Sequence, residues 1–330
     1  MSIDQAVKYA ELRQLVEKLA GQRLPGEREL AAQLGISRPA LRSLLATLEA
    51  EGLVRRHQGS GTYANKLQAE RLTTVALLID EELKLGDDPF FSLLVERLQS
   101  HLQAEDIRCI IERIHHQRQP HNLGDGAITL GVAGSAVLAG LRPDDPPVVG
   151  LLLDARIPVH TRASLFQLAD REAGMEAARH LLALQCQELV FVGRRDIASS
   201  QERLKGAEEI ATQARISLQF VRSHLNYTAG LRLGRELNLS TIKGPIGLIA
   251  TNDWLAVGLR AGLSSNTSVH DPIHIVSFDG LPMTSDPLLC IESLSVPIDV
   301  IAIDTITELR RLCQPAPLAG RIVRYPLYWS

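Results

Sequence analysis

Cysteine is scarce and scattered in this chain: Cys109, Cys186, Cys290 and Cys313 are the four among 330 residues. They form no C-x-x-C pair, which argues against a structural zinc site. Buried free thiols in a reducing cytosol account for them best. The histidines show no H-x-x-x-H or mixed Cys spacing, so no metal is assigned, and His115-His116 reads as a solvated loop. No apolar run approaches the ~20 residues of a membrane-crossing helix. Nor does the amino end resemble a signal peptide. The expectation is a soluble, cytoplasmic protein with no membrane partner. Catalytic signatures are missing too: there is no G-x-S-x-G elbow, no Walker loop and no G-x-G-x-x-G after the first apolar strand. A non-enzyme without a cofactor is expected.

Charge of one sign is also lacking, since the net is −3. It is unevenly spread: residues 1–65 hold nine Lys and Arg against seven Asp and Glu, an excess of 2, which leaves −5 for the rest. Only the amino-terminal part suits a polyanion, and the excess is modest. Any affinity for a polyanion must therefore rest on where the charges stand rather than on their number.

What is present begins with residues 24–64, LPGERELAAQLGISRPALRSLLATLEAEGLVRRHQGSGTYA. Glu27 to Leu34 places Leu30, Ala31 and Leu34 on one face of a helix. Gly35 suits the positive φ of a helix end, and Ser37 suits the cap of a second helix. Pro39 sits in that helix's first turn, and Leu41, Leu44, Leu45 and Leu48 form its buried stripe. The free face starts with Ser37, Arg38 and Arg42, the half of a recognition helix that enters the major groove. Arginine there can pair with guanine O6 and N7 or with phosphate. The helix is expected to end at Gly52. Residues 53–56 and 62–64 read as two strands around a loop, His57 to Gly61, that includes Gln58 and Gly59. This is a wing, with Arg55, Arg56 and His57 adding positive charge. A helix over 4–20, with Ala6, Tyr9, Leu12, Leu15, Val16 and Leu19 in its stripe, should pack beneath.

Leu24-Pro25-Gly26-Glu27-Arg28-Glu29-Leu30-Ala31, Gly35-Ile36-Ser37-Arg38, Leu48 through Val54 and Gly59-Ser60-Gly61-Thr62-Tyr63 together resemble the GntR family of bacterial transcription regulators. The resemblance implies a winged helix-turn-helix in which Arg28, Arg38, Arg42 and Gly59 contact operator DNA. Ser37 and Gln58 join them by position. The plain alternatives are that Arg28, Arg55 and Arg56 are solvated surface charges, and that the winged helix docks a protein partner.

After a polar stretch, Asn65 to Arg71, that suits a linker, short apolar runs alternate with amphipathic helices. Strands are expected at 74–80, 107–113, 127–133, 147–154, 188–193, 218–222, 246–251 and 273–278. Helices are expected at 90–104, 171–184, 199–213, 228–237 and 254–262. The alternation implies α/β architecture, with parallel sheets covered on both faces. The length of this part allows two sheets.

Asp170 to Gly174, Ala178 to Leu181, Phe191-Val192-Gly193, Glu202 to Gly206, Ala250 to Asp253, Val276 to Asp279 and Val296-Pro297 are similar to motifs of the LacI/GalR effector domain. That domain resembles periplasmic sugar-binding proteins, and its union with a GntR-like head is the arrangement of the arabinose-repressor subgroup. The implied layout is a winged helix-turn-helix over 1–65, a linker over 66–73, and a two-lobed periplasmic-binding-protein-like domain with parallel sheets over 74–330 that binds effector and dimerises. Two departures stand out. HHQRQPHNLGDG, between Arg113 and Ala127, replaces the family's full helix, and Val296 stands where many relatives place a polar pocket residue.

Ligands of open parallel sheets sit beyond the carboxyl ends of strands. Asp80, Asp154, Arg203, Asn252, Asp253 and Asp279 fall there or at the next helix start. The resemblance selects Arg203, Asp253 and Asp279 for the pocket. An arginine and two carboxylates can hydrogen-bond vicinal hydroxyls, which suits a sugar. Phe90, Phe91 and Trp254 offer apolar faces for its ring. Each has a plainer reading: Asp253 as a helix cap, Phe90 and Phe91 as core, Arg203 as a surface ion pair beside Glu202. The expected whole is a ligand-responsive repressor, a homodimer on operator DNA with a small-molecule effector. The rival is a cytoplasmic small-molecule sensor whose winged helix docks a protein.

Overall fold

A computed structural model describes residues 8–9, 11–13, 15–16, 19, 21–50, 53–57, 61–64, 72–115, 120–159, 161–237, 244–266, 272–314 and 319–330. The readings made for Ala6, Gly52, Gln58, Gly59, His116 and the stretch 65–71 lie outside these residues. The chain divides into two compact units, residues 1–73 with 310–319, and residues 74–309 with 320–330.

In the first unit, α1 (Glu27–Leu34) buries Leu30, Ala31 and Leu34 as its period requires. Gly35 ends it at φ 65, a left-handed conformation that costs a residue without Cβ little. Ser37 Oγ accepts from Ala40 N at 3.3 Å, and α2 (Arg38–Ala50) follows. Leu41, Leu44, Leu45 and Leu48 meet Leu12, Val16, Leu30 and Leu34 in one core. Each buried leucine contributes roughly 1.5–3 kcal/mol relative to an exposed one. Strands β1 (Val54–His57) and β2 (Gly61–Ala64) pair antiparallel, with Arg55 opposite Tyr63 and His57 opposite Gly61.

The second unit holds two six-stranded sheets. Strands β3 (Thr74–Asp80), β4 (Arg108–Ile114), β5 (Gly126–Leu130), β6 (Val148–Leu151) and β7 (Ala163–Leu168) build the first lobe, together with β13 (Ile322–Tyr325). Its order is β13-β7-β6-β5-β3-β4, all parallel. Strands β8 (Glu188–Gly193), β9 (Ser217–Arg222), β10 (Ile246–Ala250), β11 (Ile273–Asp279) and β12 (Ile291–Ser295) build the second. There the order is β14-β12-β11-β10-β8-β9, and only β14 (Tyr328–Trp329) runs antiparallel. Central strands such as β5 and β10 are buried at every residue, as sheets covered on both faces demand.

Helices α3 (Pro89–Ala104), α4 (Ala133–Ala139), α5 (Asp170–Ala183), α6 (Ala198–Ala214), α7 (Tyr227–Glu236), α8 (Asp253–Leu263) and α9 (Ile298–Leu312) connect the strands. The chain passes between lobes three times: at Ala169, at Val296-Pro297 and at Pro326-Leu327. At the first passage Ala169 N donates to Tyr325 O at 2.9 Å, tying it to the third.

Several elements differ from the sequence reading. The run 127–133 stops as a strand at Leu130, because Gly131 takes φ 85 and a short helix starts at Ala133. The run 147–154 stops at Leu151, where Leu152 turns to φ 57. Strands β7, β12, β13 and β14 and helices α4 and α9 were not foreseen. Between β4 and β5 the described residues contain no helix, yet β3, which this connection crosses, is buried from Val75 to Asp80.

Candidate nucleic-acid interface and ligand cleft

The helix-turn-helix presents its cations outward. Arg28, Arg38 and Arg42 are all exposed, as is Ser37. Arg42 Nε donates to Glu27 Oε2 at 2.8 Å, which holds the guanidinium at the junction of the two helices. Its backbone carbonyl accepts from Arg56 Nη2 at 3.0 Å. Arg56 also donates its backbone N–H to Glu49 Oε1 at 3.2 Å and pairs with that carboxylate at 3.4 Å. Arg56 is therefore a brace between wing and recognition helix rather than a free charge; Arg55 stays exposed. Sequence reasoning missed Arg23. It bridges Tyr63, and a Cβ added at Gly61, where φ is 111, would lie 2.8 Å from its Nε. Glycine at 61 thus admits a cation against the wing.

In the second unit two close helix contacts set the chemistry at the carboxyl ends of the second lobe's strands. A Cβ at Gly174 would lie 1.9 Å from Arg203 O, and one at Gly206 2.0 Å from Arg171 O, so α5 and α6 touch backbone to backbone. That approach puts Arg203 beside Asp170: Nε donates to Oδ1 at 2.8 Å. Nη1 donates to Thr251 O at 2.6 Å, and the guanidinium lies over the Phe278 ring at 4.4 Å. Arg203 is 4% exposed, so it is an internal ion pair and not a surface one; Glu202 pairs with Lys205 instead.

The second contact joins α7 and α8. A Cβ at Gly258 would lie 2.2 Å from Tyr227 O, and one at Gly230 2.4 Å from Leu255 O. The tyrosine and Trp254 rings consequently meet with centroids 5.2 Å apart. Both are half-buried, which leaves them partly open to solvent.

Asp279 ends β11 at φ 122, a conformation rarely adopted by a residue with a Cβ, and is 6% exposed. Its Oδ2 accepts from Asp253 N at 3.4 Å. Burial pushes its carboxyl well above the usual range, the Asp253 charge adds to this, Arg203 opposes it and Asp88 raises it further. Asp88 belongs to the first lobe, so carboxylates of both lobes feel each other. It caps α3 by accepting from Phe91 N at 3.1 Å, and burial raises its carboxyl too. Nothing in the sequence singled it out; the Asp-Pro step before a helix was the available signal.

Three expected pocket residues are placed otherwise. Asp253 is fully buried: Oδ1 accepts from Ser277 Oγ at 2.5 Å and Ser293 Oγ at 2.7 Å, and Oδ2 from Leu281 N at 2.7 Å. It staples three segments together, while the cap of α8 is Asn252, which accepts from Leu255 N at 3.0 Å. Asp80 likewise spends both oxygens, on Glu82 N at 2.9 Å and Ala133 N at 2.8 Å. Phe90 is 7% exposed and belongs to the core, against Phe91. Asp154 is exposed, and Val296 is buried with its N–H on Asp279 O at 3.1 Å. The described residues thus bring together Arg203, Thr251, Asp253 and Asp279, with Asp88 facing them. No cluster of His, Cys, Asp and Glu fit to hold a metal occurs among them, and no described helix is long and apolar enough to cross a membrane.

Residues 7–64 match the family of bacterial regulatory proteins called gntR, and residues 178–326 match the periplasmic binding protein-like domain. The arabinose metabolism transcriptional repressor of Geobacillus stearothermophilus is 24% identical over 300 residues, 82% of either chain. The HTH-type transcriptional repressor NagR of Bacillus subtilis is 41% identical over 61 residues, 18% of this chain and 25% of that one. Among solved structures, a LacI family regulator from Enterococcus faecium with bound ribose superposes with a TM-score of 0.63 at 20% identity, covering 78% of this chain and 97% of the other. The dimeric Lac repressor does so with a TM-score of 0.61 at 15% identity, over 78% and 96%. An outward-facing basic helix on a GntR-type domain, followed by a body with the LacI-family fold, makes this chain a bacterial transcription regulator of the GntR helix-turn-helix and periplasmic-binding-protein-like arrangement.

Proposed function

We propose that this regulator is a cytoplasmic repressor that binds operator DNA as a homodimer and responds to a small sugar held between the two lobes of its body. The observation that carries the sugar reading is the set of partners around Arg203. Nε and Nη1 are committed to Asp170 and Thr251, and Nη2 has no protein partner among the described residues. Beside it stands Asp279, an acceptor when ionised and a donor when protonated. Such a pair suits vicinal hydroxyls, and the Tyr227 and Trp254 rings give a sugar an apolar face to lie on. The ribose bound by the Enterococcus faecium relative belongs to the same class. The cleft is assigned binding and no chemistry, since Asp253 and Asp80 are consumed by internal donors.

Ligand bound to both lobes favours a closed form, and the altered dimer geometry moves the winged helices off half-site spacing. Coupling of this kind is typically about 1–3 kcal/mol, roughly 5- to 150-fold in operator affinity. Arg38, Arg42 and Arg28, with Ser37, Gln58 and Gly59, are assigned to DNA. The test is a thermal-shift screen with pentoses and hexoses, followed by a gel shift with and without the best ligand. A sugar that raises the midpoint and changes operator retardation supports the reading. Retardation absent at low salt would favour protein docking instead.

A further inference from the structure

A cavity of about 240 Å³ opens beside the edge strand of the second lobe, apart from the cleft. Arg194 enters it from the end of β8, Arg222, Ser223 and His224 from the end of β9, and Arg232 and Glu236 from α7. Along α7 the lining positions are 229, 232, 233 and 236, a spacing that shares one helical face. Gly230 and Gly234, pressed against α8, and Tyr227, whose ring meets Trp254 at a tilt, occupy the opposite face. The cavity therefore lies on the face of α7 turned away from α8.

Its charge is unbalanced. Arg194 is taken up by Asp196, whose carboxyl that guanidinium holds down to about 2. Arg222 and Arg232 have no hydrogen bond or close ion pair among the described residues, although the Asp196 carboxylate also feels Arg222, and Glu236 is the single carboxylate on the lining. Two arginines without a close partner thus line a space well above the ~30 Å³ share of one water molecule. Ala229 and Leu233 supply an apolar side. Guanidinium groups offer paired donors that match the oxygens of a phosphate, and two of them with a histidine suit a dianion better than a carboxylate.

We propose that this cavity is a second ligand site that takes a phosphate dianion, free or carried by a small metabolite. Occupation neutralises Arg222 and Arg232 together and ties the end of β9 to α7, the helix whose other face carries Tyr227. Anion binding here consequently biases the cleft without entering it. The proposal goes beyond the sugar reading and stands without it.

The experiment is calorimetric titration of the full chain with inorganic phosphate and with glycerol phosphate at constant ionic strength, on the wild type and on R222A/R232A. Saturable binding to the wild type, weakened at least about ten-fold in the double variant, is the expected result. Tighter binding of glycerol phosphate than of phosphate identifies a metabolite as the source, and equal binding identifies the free ion. No saturable binding of either probe, or unchanged affinity in the variant, overturns the proposal. Both arginines are exposed, so the variant folds; circular dichroism and a parallel titration with a neutral pentose check this. The pentose arm reports the cleft alone, so failure of the sugar reading is seen separately.

Discussion

Arg203 and Asp170 form an ion pair at 2.8 Å whose side chains are 5% and 16% exposed. A pair so withdrawn from water is costly to break one side at a time, because the survivor keeps its charge without its partner. Arg203→Ala should destabilise the protein by about 3–5 kcal/mol and abolish the response to effector. Arg203→Lys should restore part of the stability and little of the response, since an ammonium cannot span Asp170, Thr251 and a ligand at once. Denaturant unfolding paired with gel shifts measures both. A lysine variant with full effector response would remove Arg203 from the ligand site.

The three raised carboxyls Asp279, Asp253 and Asp88 give a sign to the pH dependence. Each holds its proton more tightly when folded than when unfolded. Their contribution is complete below the ordinary value of 3.8 and is lost as pH rises through the raised values. Asp279→Asn, which keeps shape without charge, should raise the thermal midpoint more at about pH 8 than at about pH 4. Parallel curves for variant and wild type across that range would refute the assignment.

Gly258 has no room for a methyl group, with Tyr227 O 2.2 Å from where its Cβ would stand. Gly258→Ala should push α7 from α8, cost about 1–3 kcal/mol and part the Tyr227 and Trp254 rings. The chain has two tryptophans. In a Trp329→Phe background, Trp254 emission reports the separation directly, and weaker sugar binding should accompany it. Unchanged emission would mean the rings do not depend on this glycine.

On the DNA side, Arg38→Ala and Arg42→Ala should each cost about 1–3 kcal/mol of operator binding and relax base preference. Arg56→Ala should behave differently. Its partners Glu49 and Arg42 O are at the surface, so stability should change by under about 1 kcal/mol. Operator affinity should nonetheless fall for all sequences alike, because the wing loses its tie to the recognition helix. Competition binding on operator variants separates a base-reading arginine from a bracing one.

The helix-turn-helix was legible because its signals are local: Gly35, Ser37, Pro39 and a leucine stripe lie within two turns of what they specify. The sheet alternation of the body was legible for the same reason. Other elements depended on distant contacts. Helix α9, IDVIAIDTITELRRL, is rich in β-branched residues that disfavour a helix, yet burial of Ile301, Ile306 and Leu309 decides it. Strand β12 interrupts its apolar run with Glu292, and β13 pairs with a strand more than 150 residues earlier. Asp253 read as a cap or a ligand because its partners Ser277, Leu281 and Ser293 are 24, 28 and 40 positions away. The motif drew attention to Arg203 and Asp279, but only the fold revealed that Asp170 pairs with one and that the Asp88 charge acts on the other.

The triple passage between lobes has a mechanical consequence. Three straps, at Ala169, Val296-Pro297 and Pro326-Leu327, join the lobes like the pins of a door hinge, the first and third tied by the Ala169 N–Tyr325 O bond, and proline stiffens two of them. Twisting or sliding would strain all three straps together, whereas swinging about their common line bends each a little. A molecule seated near that line gains leverage over both sheets at once, so a grip of a few ångströms is magnified at the far rims of the body.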